Sequence, residues 1–215
     1  MVLSTRFIPN HEWVIALIIF ILVLLVIVKW NKINYFLNFT KSPLDSSYFT
    51  KKFAEKRRIE LPEILLFFSS LLGISFFINV YLFEDVFELI SYFQIILLVF
   101  VFILGKYFIE KIIGDVFEIN SLVNKYLFFK QSILSWLSLF FLFPIGLLVY
   151  FQSLNQPILL SSCILISILI YALKILNFSF AYQKHILTYW FYFIVYLCIF
   201  EIGPILILVK SIKIS

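Results

Sequence analysis

A single carboxylate set deep in an apolar segment is the residue best placed to do chemistry in this chain. Glu201 follows Tyr196-Leu197-Cys198-Ile199-Phe200 and precedes Ile202-Gly203-Pro204. A charge inside hydrocarbon is costly, so such a carboxyl is protonated, paired or turned to a wet cavity. Pro204 has no N–H to offer residue 200 and kinks the helix that carries it. Gly203 lets a second helix approach closely. A carboxylate beside a broken helix is one way in which transporters build a midplane site for a proton or cation. The structural alternative is a carboxyl hydrogen-bonded to a neighbouring helix, through Tyr150, Gln152 or Gln94. Tyr192 and Tyr196 share a helix face with Tyr189 and lie deep enough to be hydrogen-bonded within a bundle. Lys174 lies at a different depth from Glu201, near a helix end where it can snorkel.

The second chemical feature is a run of positive charge. Lys51, Lys52, Lys56, Arg57 and Arg58 crowd a segment that also carries Phe49 and Phe53, four residues apart. A basic helix with aromatic anchors suits an anionic lipid surface or a protein partner; the simpler reading is positive charge that fixes topology. Nucleic acid is not an expected partner. The two histidines, His11 and His185, lie far apart, and Cys163 and Cys198 both sit inside apolar runs. No phosphate loop, dinucleotide fingerprint, zinc spacing or nucleophile elbow is present. No catalytic residue, cofactor or metal site is therefore expected.

The elements that hold these residues follow from composition. Of 215 residues, 63% are apolar and 13% charged, with a mean hydropathy of +1.08. Soluble domains run near half apolar and a quarter charged, so much of this chain must be solvated by lipid. A hydrocarbon core of about 30 Å needs roughly 20 apolar residues in a helix. The charge-free runs predict six crossings, near 13–29, 63–83, 88–106, 132–152, 157–176 and 186–209. The first resembles a signal-peptide core without a cleavage site and is expected to persist as a helix. The run 131–173 is twice the length of a membrane and must fold back at Ser153-Leu154-Asn155-Gln156-Pro157. Glu201 then lies roughly 20 Å into the last helix. The expected fold is a single all-α, polytopic transmembrane domain.

Basic residues set the orientation. Fourteen of the seventeen Lys and Arg fall on one side of this arrangement, and Arg6, Lys210 and Lys213 on the other. Both termini are expected to be periplasmic, with cytoplasmic loops at 30–62 and 107–130. The second loop repeats apolar residues at Phe108, Ile112 and Val116, then at Ile119, Val123 and Leu127. That pattern predicts an amphipathic helix at the interface or docked on the other loop. Its acids, Glu110 among them, can face the bases of 51–58, a weak interaction if exposed.

The string Tyr196-Leu197-Cys198-Ile199-Phe200-Glu201-Ile202-Gly203-Pro204 resembles the closing Y-L-C-x-x-E-I-x-P pattern of a family of uncharacterised Bacteroidetes membrane proteins, a domain of unknown function. The basic loop after the first helix and the chain length fit the same family. The resemblance implies a multi-pass protein of a Gram-negative inner (cytoplasmic) membrane, and implies no activity, substrate or cofactor. Three functions follow in order. The first is a structural or accessory subunit of a membrane assembly, embedded in the bilayer with a membrane-protein partner or further copies of itself. The second is a small transporter or channel using Glu201 beside Pro204. The third is a lipid-modifying enzyme, which lacks a second catalytic group at the depth of Glu201.

Overall fold

The computed structural model describes residues 12–41, 60–83, 89–116, 120–152 and 156–181, and the sixth expected crossing, 186–209, lies outside them. The chain divides into two units, residues 1–171 and 172–215, and the described part of the second is the end of one helix. Among the described residues no element is a strand.

Helix α1 (Glu12–Asn31) has an acid in its first turn and Lys29 in its last, each favourable to the helix dipole. It buries one narrow stripe, Val14, Leu17, Ile21 and Val28, while Trp13, Ile19, Phe20 and Val26 are exposed. Only a lipid solvent tolerates that much bare apolar surface.

A short helix, α2 (Ile33–Lys41), follows at once. The backbone ladder barely pauses between the two, because Lys32 N–H donates to Val28 O and Phe36 N–H to Lys32 O. This segment falls in the expected loop 30–62, where the sequence showed only an aromatic stretch. Burial of Phe39 is what holds it as a helix. The Trp136 indole N–H donates to Thr40 O at 3.1 Å, and the Phe39 and Phe140 rings meet at 6.3 Å.

Helix α3 (Leu61–Phe83) is the hub. Its Pro62 sits in the first turn, where a missing N–H costs nothing. Over its most apolar stretch 56% of residues are buried, against 11% for α4 (Leu89–Val116). Helix α4 is therefore peripheral. It continues ten residues past Lys106, so residues 107–116 extend a long apolar helix, and residues 120–130 open the next one, α5 (Asn120–Leu137). The amphipathic pattern at 107–130 is thus shared between two paired helices. They close up at Gly114, where an added Cβ would lie 3.1 Å from the Val123 Cβ.

Helix α5 leads without a break into a π-helical turn, Ser138–Leu142, and then α6 (Phe143–Gln152). The local cause is Pro144. It cannot donate to Phe140 O, and its ring would strike that carbonyl in a regular helix. The wider turn, in which Phe143 N–H donates to Ser138 O, relieves the clash. Helix α7 (Gln156–Ala181) completes the order.

Five of these helical stretches are long and apolar enough to cross a membrane. Core packing centres on Phe76, which meets Phe143 at 5.8 Å and Tyr150 at 6.1 Å, both edge-on.

Candidate functional site

Polar side chains inside this bundle gather along one seam. Ser132, Ser135 and Ser138 recur every third residue and are all buried. Ser135 and Ser138 meet Ser70 of α3, and Ser138 also lies against Gly73. The Ser135 hydroxyl donates to Ser70 Oγ at 3.1 Å, and the Ser138 hydroxyl to Ser70 O at 2.6 Å. Ser70 in turn donates to Phe67 O at 2.7 Å, and Gln131 Nε2 reaches Ser135 Oγ at 3.4 Å. The small side chains allow the helices to approach, and the hydroxyls then join them, as in other membrane bundles.

One turn beyond the seam, at the exposed end of α4, lies a buried ion pair. Glu110 is 2% exposed and Lys130, which binds its Oε1, 12%. The Lys130 ammonium also stands 5.5 Å from the centre of the Tyr126 ring, one turn back on α5. The second oxygen, Glu110 Oε2, has no hydrogen-bond partner. Glu110 is thus withdrawn from the surface on which the sequence had grouped it with the exposed acids. Its partner is Lys130 of the adjacent helix. The pairing was hidden because it depends on the α4–α5 hairpin, twenty residues apart along the chain.

Between seam and surface lies a cavity of about 80 Å³, room for several waters. Tyr35 and Phe39 of α2, Leu66 of α3 and Phe128 of α5 form its apolar walls. Its polar lining is Glu63, Gln131, Ser132 and Ser135. Farther along α3, Ser75 Oγ and Asn79 Nδ2 are buried without a hydrogen-bond partner, one turn apart on the same face.

Of the residues singled out by sequence, Glu201, Pro204, Tyr192, Tyr196, Lys51, Lys52, Lys56, Arg57 and Arg58 all lie outside the described residues, as do His185 and Cys198. Of the donors suggested for Glu201, Gln94 and Gln152 are exposed and Tyr150 is half-buried. Cys163 is a buried free thiol. Among the described residues no group of three or more His, Cys, Asp or Glu side chains is placed to hold a metal.

Apolar helices that turn bare hydrocarbon outward, and spend their few polar groups on joining one another, are the build of a helical membrane protein. The chain belongs to a family described as a domain of unknown function (DUF4271), whose model matches residues 14–212. No curated protein and no solved structure matches it.

Proposed function

We propose that this chain is a structural or accessory subunit of an assembly in a bacterial inner membrane. The observation that carries the reading is the outer face of α4. At 28 residues the helix is about 42 Å long, which exceeds the hydrocarbon core by about 12 Å. Its apolar face nevertheless runs to the end. Tyr107, Phe108, Ile112 and Val116 are all exposed beyond Lys106. An apolar stripe that continues past the lipid tails calls for a protein to cover it, and a partner helix laid along α4 does so.

The positive-inside count supports periplasmic termini and a cytoplasmic α4–α5 hairpin, so the partner surface faces the cytoplasm. The resemblance at the carboxyl end supports a Bacteroidetes source.

Native mass spectrometry of the tagged chain, extracted gently from its own membrane, tests the proposal. A stoichiometric protein partner is the expected result. Recovery of the chain alone overturns it and returns attention to Glu201 and a transport role.

A further inference from the structure

We propose that the outer face of α4 is a contact between two copies of this chain, zipped along a stripe through Gln94, Leu98, Val101, Gly105, Phe108 and Ile112. The inference rests on the assembly reading above and names the partner that α4 meets.

These six residues follow one another at alternating steps of four and three, and Asp115 continues the series. Such steps, kept up over three heptads, hold one stripe against a second helix wound around the first. Leu98, Val101, Phe108 and Ile112 are exposed, as are Gln94 and Gly105. The stripe lies opposite the side of α4 that buries Tyr92, Val99 and Glu110.

Lipid alone does not account for the composition of this stripe. Gln94 stands inside the charge-free run 89–105, where an amide left among lipid tails is costly. Gly105 weakens the helix that carries it, and a Cβ built on it would meet nothing within 4 Å. At Gly73, Gly114 and Gly146 the same Cβ would find a neighbour within 3.4 Å. The bundle therefore uses those three glycines for its own packing and leaves Gly105 open to another helix.

Self-complementarity selects the occupant. Two copies inserted the same way in one membrane run their α4 helices parallel, and a two-fold axis then sets each stripe residue against itself. An amide carries both donors and an acceptor, so Gln94 can bond Gln94 of the second copy. Gly105 meets Gly105 at the close approach. Lys111 and Asp115 are exposed one turn apart, so each copy offers the other an opposite charge beside the stripe. A different partner would have to match all three features with a sequence of its own.

Cysteine cross-linking of the full-length chain in its own membrane supplies the test, read above the level given by the parent chain. Leu98→Cys and Ile112→Cys should each trap a dimer of the chain under a membrane-permeant oxidant. Tyr107→Cys, exposed on α4 but off the stripe, should not. Gly105→Leu should lower the trapped dimer about tenfold by overpacking the approach. Gln94→Leu should lower it about threefold, the scale of one hydrogen bond between membrane helices. Because Gly105 has open space around it, its variant should unfold at the wild-type temperature as a monomer in detergent. Cross-linking of the stripe to a different protein overturns the second-copy inference and leaves the assembly reading standing. No cross-link to any protein makes α4 a lipid-facing helix and overturns both. A dimer undiminished by Gly105→Leu also overturns the inference, since the copies then meet elsewhere.

Discussion

The Ser138 hydroxyl donates to the Ser70 carbonyl at 2.6 Å, and it can do so because residue 73 is glycine. A Cβ built at position 73 would lie 2.8 Å from Ser138 Oγ and 3.4 Å from the Phe143 Cβ. The hydroxyl cannot yield without losing its bond, and the bond is buried. Gly73→Ala is expected to destabilise the bundle by about 1–3 kcal/mol through overpacking. Ser138→Ala should cost less, about 1 kcal/mol, the usual scale of an interhelical hydrogen bond in a membrane. Thermal unfolding in detergent measures both. Because the two residues touch, the double variant should fall short of the sum of the single effects.

Lys130 neutralises a carboxylate that is almost wholly buried. Lys130→Met would strand that charge and should cost about 3–5 kcal/mol, seen as loss of the monodisperse peak in size-exclusion chromatography. Adding Glu110→Gln should restore much of the folded yield, since an uncharged pair has little to desolvate. A Lys130→Met protein as stable as the wild type would mean that the pair is open to water.

Phe108 and Ile112 are exposed on the part of α4 beyond Lys106, the surface proposed to meet a partner. Phe108→Ser with Ile112→Ser should leave the stability to unfolding within about 0.5 kcal/mol of wild type, as surface changes do. The same double variant should lose the copurifying partner. Retention of the partner would place the contact elsewhere on the chain.

Cysteines introduced at Asn155 and Ser47 test the topology. Under the proposed orientation an impermeant thiol reagent added to intact spheroplasts labels the first and spares the second. Labelling of both would remove a crossing from the scheme.

Much of the architecture is legible in the sequence, because a hydrocarbon solvent leaves few options: backbone groups must pair within the helix, and apolar length decides what can cross. Helix α1 could be read in this way directly. Helix α2 could not. It has nine residues, too few for a period to show, and its fold rests on Phe39 meeting a helix a hundred residues later in the chain. Glu110 illustrates a different limit. A lone acid in an amphipathic stretch reads as surface, and only the pairing of α4 with α5 turns it inward toward Lys130. Ser132 and Ser135 of α5 and Ser138 at the start of the π turn were visible as letters, but the use of Ser135 and Ser138 depends on which face of α3 they meet. Pro144 did carry a signal for the π turn, since its missing N–H forbids a regular ladder there. For the cavity no single residue stands out, because Tyr35, Glu63 and Gln131 come from three helices. Glu201, the most conspicuous residue in the sequence, lies outside the described residues.

The π turn at Ser138–Leu142 has a consequence for how this helix can vary. It houses one residue more than an α-helical path of the same course, so the segments before and after it are rotated by about 100° relative to an unbroken helix. That phase change is why the serines of α5 and the aromatic contacts at Phe143 and Tyr150 can both address α3. A relative that lost one residue from this turn would swing half of its contacts off the hub, unless Pro144 were replaced and the facing side chains changed with it. Length in this stretch is therefore coupled to composition, and a gap here would mark a repacked bundle.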